Sequence, residues 1–235
     1  MRATFFVVLL LSFAAVGEDR VAEARQAKGQ VIKDLFRAAN LVYPPDELYV
    51  RAFKHEKELE VWAGKKGQPL SKVKSYSFCS ASGELGPKRR LGDLQVPEGF
   101  YVVDRFNRRS NFLLSLGVSY PNDSDRLLGE KGWLGGDIFI HGSCVSIGCI
   151  AIEDGPIQEV FVMALDTRQR RIPVHIFPRR LDAAGFEELA RHPRANEHLQ
   201  FWKGLQPGYL YFEEKHRPPR MTVDPKTGAY RIHKG

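Results

Sequence analysis

The chain has little that would place it in a membrane or in a repeat architecture. Of its 235 residues, only the first 17 contain a long apolar run, and no segment recurs at a fixed period. A membrane-spanning helix needs about 20 consecutive apolar residues, and solenoids need units repeated every ~20–50 residues. The sequence therefore predicts neither an integral membrane protein nor a solenoid.

The apolar run at the N-terminus has the layout of a secretory signal peptide. Residues 1–17 read MRATFFVVLLLSFAAVG, with one positive charge at Arg2, an apolar centre, and small residues at Ala15 and Gly17. This arrangement predicts cleavage after Gly17. We expect an exported protein, with an uncleaved membrane anchor as the alternative.

The basic residues lack the pattern that nucleic-acid binding requires. The formal net charge is +7, and it falls to +6 when residues 1–17, which hold one arginine and no acid, are removed. The lysines and arginines are scattered and form no stripe interleaved with aromatic residues. We therefore expect no nucleic-acid partner. The net positive charge favours binding to an anionic polymer such as that of a cell wall.

Cysteine is scarce, and the count is odd. The three cysteines are Cys79, Cys144 and Cys149, so an oxidising compartment would leave at least one thiol unpaired. Two of them lie in FIHGSCVSIGCIAIEDG, residues 139–155, close to His141. This motif is compatible with a metal-binding site, a disulfide, or a thiol nucleophile with its base.

The metal interpretation lacks a fourth ligand. His141, Cys144 and Cys149 could each bind zinc, but no further ligand and no tight CxxC pair lie nearby. We expect no metal and no other cofactor.

For a disulfide, Cys144 could pair with Cys149, or Cys79 could pair with either one. A Cys79–Cys144 bridge would leave Cys149 free, and the sequence does not choose among these pairings.

The nucleophile interpretation accounts for more of the motif. A thiol needs a nearby base, because its ordinary pKa of about 8.5 leaves it mostly protonated. His141 ends a predicted strand, and the eight residues to Cys149 are enough for the chain to fold back. Gly148 would let the backbone approach a carbonyl, and the amides of Gly148 and Cys149 could stabilise an oxyanion. We therefore predict that Cys149 is a nucleophile activated by His141.

The hydrophobic periodicity predicts a mainly β domain with helices at both ends, α+β overall. Residues 47–177 hold most of the strand patterns, including a hairpin over 48–63, without regular βαβ alternation. An amphipathic helix is expected within 18–46, and 178–235 is expected to be helical and then a proline-rich basic tail. Asp154 is expected to cap the helix that follows the motif.

The motif residues also resemble a known family. IHG followed by S-x-G-C-I is similar to the signature of L,D-transpeptidase (YkuD-type) catalytic domains. GPKRRLGDLQVPEGFY at 86–101 resembles another segment of that family, and FWKGLQPGYLYFEEKHRPP at 201–219 resembles its YafK/DpaA-like branch. The resemblance covers most of the mature chain. It implies a catalytic domain built on a β-sandwich or bent sheet with flanking helices.

The resemblance also implies roles for residues of the motif. By position, Cys149 is the nucleophile, His141 is the proton donor and acceptor, and Gly142 orients the histidine through its backbone. Ser146 and Gly148 shape the loop.

The sequence departs from the family pattern at Ile147 and Ala151. Ile147 stands where members usually have a second histidine, and Ala151 stands where a polar residue commonly follows. Both changes remove polar groups near the predicted nucleophile, so we expect a different substrate or acceptor from that of cross-linking members.

The activity that the resemblance implies is periplasmic acyl transfer on peptidoglycan (murein). The thiolate of Cys149 would attack a carbonyl at meso-diaminopimelate, and a thioester would form as His141 protonates the leaving amine. The branch implies an amidase that detaches a covalently bound lipoprotein from murein. The alternatives are an L,D-transpeptidase that forms cross-links or attaches the lipoprotein, and a non-catalytic wall-binding protein.

Overall fold

One curled eight-stranded sheet contains most of the strands in this computed structural model, which describes residues 19–233. The predicted signal peptide, residues 1–17, lies outside the described residues. The strands are β1 (Glu47–Phe53), β2 (Glu58–Gly64), β3 (Ser71–Ser77), β4 (Gly99–Asn107), β5 (Ser115–Val118), β6 (Phe139–His141), β7 (Ile150–Ala151), β8 (Pro173–Phe177), β9 (Arg220–Val223) and β10 (Tyr230–His233). The helices are α1 (Arg20–Ala38), α2 (Asp123–Leu128), α3 (Asp154–Asp166), α4 (Ala183–Ala190) and α5 (Ala195–Lys215).

The strand order of the large sheet places the motif at one edge. The order is β3-β2-β1-β8-β4-β5-β6-β7, and β9 and β10 form a separate two-stranded hairpin. The β1–β8 and β6–β7 pairs are parallel, and the other neighbours are antiparallel. This topology confirms the predicted fold class, with the bent-sheet form as the one observed.

The predicted hairpin over 48–63 forms β1 and β2, and both faces of these strands are buried. Leu48, Val50 and Ala52 alternate along β1 and join the core that contains α1 and α3. Tyr49 and Phe53 point to the opposite face, where α5 covers them with aromatic side chains. Because successive side chains of a strand point to opposite faces, helices on both sides account for this burial.

Helix α1 lies within the segment for which an amphipathic helix is predicted, and it buries one face. Its buried residues include Ile32 and Phe36, whereas Val31 is exposed. The helix packs against α3, and Arg25 forms an ion pair with Asp166 at the end of that helix. The segment therefore docks on the main sheet domain.

The C-terminal segment contains more structure than the predicted basic tail. After α4 and α5 the chain forms the β9–β10 hairpin, in which Tyr230 packs edge-on against Phe100 of β4, with ring centroids 4.8 Å apart. This tertiary contact is not visible in the local sequence. Within the described residues, no helix has the combination of length and apolarity that a membrane span requires.

The expected capping role of Asp154 is wrong. The N-cap of α3 is Glu153, which makes no side-chain capping hydrogen bond. Asp154 instead accepts a hydrogen bond from the N–H of Ser143, at 2.8 Å, inside the motif. The carboxylate therefore holds the loop in front of the helix rather than the helix itself.

Candidate active site

The motif forms the connection between two neighbouring parallel strands at the sheet edge. Strand β6 ends at His141 and β7 begins at Ile150, and His141 is paired with Ala151 in the register. Cys149 lies one residue before β7 and therefore beside Phe139. The N–H of Phe139 is 3.4 Å from the Cys149 Sγ, which agrees with this placement.

The register places the Cys149 and His141 side chains on the same face of the sheet. Residues paired across two strands share a face, and residues two apart along a strand share a face as well. Since Cys149 lies beside Phe139, it is a diagonal neighbour of His141. Standard strand spacing and rise place the Cα atoms of Cys149 and His141 about 8 Å apart. No hydrogen bond joins the two side chains among the described residues, and such bonds are often long before substrate binds.

His141 is held in one tautomer by its neighbour in sequence. Its Nδ1 lies 2.6 Å from the carbonyl oxygen of Gly142. A carbonyl can only accept a hydrogen bond, so Nδ1 carries the proton and Nε2 is left as the basic nitrogen. The side chain is 1% exposed, and this burial lowers the pKa of His141 below its ordinary value. The imidazole is therefore a neutral base at neutral pH.

Gly142 occupies a position that has no room for a side chain. A Cβ at this residue would lie 2.6 Å from Asp154 Oδ1 and 2.9 Å from the carbonyl oxygen of Phe112. The Gly142 N–H also donates to the carbonyl of Leu114, at 3.3 Å. The backbone that orients His141 is thus packed tightly between α3 and the segment that precedes β5.

Two of the three cysteines are joined, and the pairing selects among the alternatives that the sequence left open. Cys79 and Cys144 form a disulfide with Cα atoms 5.2 Å apart, and Cys149 is the free cysteine. The Cys79 N–H donates to the carbonyl of Ala151 at 3.0 Å, so the disulfide ties the loop to a segment that flanks β7. A zinc clip through Cys144 would need a free thiolate that this residue does not have. Over residues 19–233, no group of three or more potential metal ligands is present.

Ser146 and Gly148 determine the backbone conformation at Cys149. Ser146 Oγ accepts a hydrogen bond from the Cys149 N–H, at 3.0 Å, and donates to the Cys149 carbonyl, at 2.7 Å. The amide of Cys149, which we expected to face an oxyanion, is therefore used within the loop. The Gly148 N–H has no partner in the described part of the chain, and Gly148 adopts a φ of +122°, which favours glycine.

The environment of Cys149 disfavours the thiolate. Burial raises its pKa, and this outweighs the opposing effects of the Phe139 N–H and the Lys88 charge. Partial burial therefore shifts both pKa values toward the neutral thiol and the neutral imidazole, because it disfavours the charged form of each group.

Two residues of the site carried no usable signal in the sequence. Phe112 stacks on the His141 ring with centroids 4.5 Å apart and an angle of 27° between the planes. Asp154 was interpreted as a helix cap. Phe112 is brought to the site because Ser115 of β5 pairs with His141 of β6, 26 positions away, and local patterns do not reveal such a pairing.

A free thiol beside a strand-terminal histidine is the arrangement used by cysteine enzymes that transfer acyl groups. The chain is 38% identical over 192 residues to the L,D-transpeptidase YafK of Escherichia coli K12, covering 80% of this chain and 74% of that protein. The YafK of Escherichia coli O157:H7 matches to the same extent. The chain therefore belongs to the L,D-transpeptidase family and is a peptidoglycan-related enzyme of that family. No family model matches it.

The solved structures to which the chain is similar have lower sequence identity. The cell-shape-determining protein Pgp2 of Campylobacter jejuni is 19% identical, with a TM-score of 0.46, and the match covers 84% of this chain and 80% of that one. L,D-transpeptidase 1 of Mycobacterium tuberculosis is 17% identical, with a TM-score of 0.32, over 56% and 62% of the two chains.

Proposed function

We propose that this protein is an exported, periplasmic cysteine hydrolase that acts on murein at meso-diaminopimelate and detaches a covalently bound lipoprotein. The observation that carries the proposal is the state of the three cysteines. Cys79 and Cys144 are paired in a disulfide, whereas Cys149 is free and partly exposed. Cys149 also lies on the same sheet face as His141. A loop that served only as a disulfide-bonded structural element would not need this third thiol.

The first half-reaction forms a thioester. Cys149 Sγ attacks the amide carbonyl as its proton passes to Nε2 of His141, so that the thiolate is generated during attack rather than at rest. The unpartnered N–H of Gly148 is the donor for the oxyanion. The intermediate collapses, the C–N bond breaks, and His141 gives its proton to the leaving amine of the lipoprotein.

The second half-reaction consumes water. His141, again neutral, removes a proton from a water molecule that attacks the thioester carbonyl. The C–S bond breaks, the stem peptide leaves with a new carboxyl group, and the proton returns to Cys149. An amine in place of water would complete transpeptidation instead.

Two exposed side chains of the loop beside the thiol offer no binding group for an amine acceptor. Val145 and Ile147 are 56% and 81% exposed, so the loop presents apolar side chains to solvent. Neither side chain can hydrogen-bond an incoming ammonium or amine. This observation supports hydrolysis as the proposed outcome and leaves transpeptidation as the competing result of the test below.

The test is incubation with lipoprotein-bearing sacculi in H₂¹⁸O, followed by mass spectrometry of the soluble and wall-bound products. Hydrolysis releases the lipoprotein and places one ¹⁸O atom in the carboxyl of the stem peptide that carried it, whereas transpeptidation yields joined stem peptides without the label. We expect Cys149→Ala to lower turnover by about 10³-fold or more, as removal of a nucleophile does. Cys144→Ala serves as the matched control from the same loop, and it should keep much of the wild-type turnover.

Two outcomes would contradict the proposal. Full activity of the Cys149→Ala variant would remove Cys149 from the mechanism. Binding to sacculi without any change in the muropeptides would identify a wall-binding protein instead.

A further inference from the structure

The first residue of α1 reaches the loop that covers the active-site histidine. Arg20 donates from one guanidinium nitrogen to the carbonyl of Ser110, at 2.5 Å, and to the carbonyl of Leu113, at 3.0 Å. These residues are 90 and 93 positions away along the chain. Residues 110–113 are called the covering loop below.

The covering loop needs support from outside. Leu113 has a φ of +67°, a region that a branched side chain disfavours. Within the loop, Ser110 Oγ accepts from the Phe112 N–H at 3.1 Å, and the Leu114 N–H donates to the Phe112 carbonyl at 2.9 Å. These local bonds define a tight turn, and Arg20 bonds the carbonyls of Ser110 and Leu113, the first and last residues of the covering loop. A guanidinium can bridge two acceptors at fixed spacing because its donors form a rigid fork.

The loop presents Phe112 to the imidazole. The Phe112 ring stacks on the His141 ring, with centroids 4.5 Å apart, and covers one face of it, while the Gly142 carbonyl accepts the hydrogen bond from Nδ1. Phe112 is itself 37% exposed, so packing alone does not hold its ring in place. Its position follows from the backbone of the covering loop.

Helix α1, which carries Arg20, is itself packed firmly against the rest of the fold. Its buried face packs into the main core, and Arg25 and Lys28 form ion pairs with Asp166 and Glu159 of α3. Arg20 therefore extends from a docked helix and not from a free terminus. This gives a function to the N-terminal segment, for which the sequence alone offered none.

We propose that Arg20 is a positioning residue for catalysis, which holds Phe112 against His141 through the covering loop and so keeps the imidazole aligned with Cys149. This inference rests on the proposed function only in taking His141 as the base. Loss of the Arg20 contacts lets the loop and Phe112 move, the imidazole gains water on one face, and its alignment with the thiol is lost.

The experiment compares Arg20→Gln, Arg20→Lys and Phe112→Ala with Arg25→Gln, the matched control on the same helix. Arg25→Gln removes an ion pair of α1 but leaves the covering loop untouched. The measurements are kcat and KM on lipoprotein-linked muropeptides, the rate of Cys149 alkylation by iodoacetamide, and the His141 titration by NMR. His141→Gln assigns the NMR signal.

We expect Arg20→Gln to lower kcat by about tenfold with KM nearly unchanged, since a small misplacement of a catalytic group has effects of this size. The His141 pKa should rise toward its ordinary value, because water replaces the Phe112 ring, and Phe112→Ala should shift it in the same direction. Burial and the Gly142 carbonyl are the causes that act on this pKa, with no contribution from a charged side chain of the described residues. Arg20→Lys should restore part of kcat, because an ammonium can still reach one of the carbonyls.

The inference is overturned if Arg20→Gln and Arg25→Gln give the same kcat and the same His141 titration. Equal melting temperatures for the two variants would exclude a general loss of stability as the cause of any difference. The NMR and alkylation measurements need no substrate. If the proposed function fails because Cys149→Ala is active, they still report whether Arg20 controls the environment of His141.

Discussion

Two histidines of this protein are both buried in strands of the same sheet, but of the two only His141 lies beside the free cysteine. His175 lies in β8, in the interior of the sheet, and is 3% exposed. Its Nδ1 is 2.9 Å from the Tyr49 hydroxyl, and its ring packs edge-on against Tyr49 and Phe100. His141 lies in β6, one strand from the edge, and its neighbour is the free thiol of Cys149.

The difference shows that burial and a lowered pKa do not by themselves identify a catalytic base. Burial lowers the pKa of both imidazoles, and for His175 the nearby Arg51 charge adds to it, giving a value of about 3. What distinguishes His141 is its place at the sheet edge. There a loop can bring a nucleophile alongside, and a substrate can approach from solvent.

The largest expected effect comes from exchanging each histidine in turn for glutamine. His141→Gln should reduce turnover by about 10²–10⁴-fold, the range typical of losing a general base. His175→Gln should leave turnover within a few-fold of wild type but destabilise the fold by about 1–3 kcal/mol, because the buried Tyr49 hydroxyl loses its partner. Turnover on sacculi and urea unfolding measure the two effects separately. If His175→Gln were the less active variant, the comparison would be reversed.

The second effect concerns stability at acidic pH. The unfolded chain protonates His175 near its ordinary pKa of 6.5, whereas the folded protein resists protonation until about pH 3. Between these values the unfolded state binds more protons, so stability falls as pH falls, by up to about 4–5 kcal/mol for this group. His141 contributes with the same sign.

Unfolding free energies between pH 7 and pH 3.5 test this prediction. The loss of stability should be clearly smaller in His175→Gln than in wild type, with His55→Gln as the control. Parallel curves for wild type and His175→Gln would show that His175 is not the group responsible.

The smallest expected effect concerns the disulfide that holds the loop after His141. His175 is held by packing, whereas the loop that follows His141 is held by the Cys79–Cys144 disulfide across 65 residues. The double substitution Cys79→Ser and Cys144→Ser should cost about 2–4 kcal/mol of stability. Turnover should fall by less than about tenfold, since the Ser146 and Gly142 contacts persist. A loss of turnover as large as that of Cys149→Ala would instead give one of these cysteines a direct part in the chemistry.

Several elements could be predicted from the sequence because their signals are local. The β1–β2 hairpin, the N-terminal helix and the helix after the motif follow from alternation and helical periodicity over a few residues. The short strand β7 and helix α2 were missed because segments of two and six residues carry too little pattern. Asp154 was assigned to the wrong partner, since a carboxylate at a helix start has the same local signature whether it caps the helix or bonds a loop.

Local sequence is enough to show that seven residues connect His141 to Cys149, and that one of the three cysteines would remain unpaired. The packed fold is needed to establish which cysteine that is, which ring nitrogen of His141 is basic, and that Arg20 bonds the loop whose Phe112 stacks on His141. The physical reason is that these facts depend on strand register and on contacts between residues 26 to 93 positions apart. Such contacts form when the whole sheet and its covering helices pack, and no short stretch of chain encodes them alone.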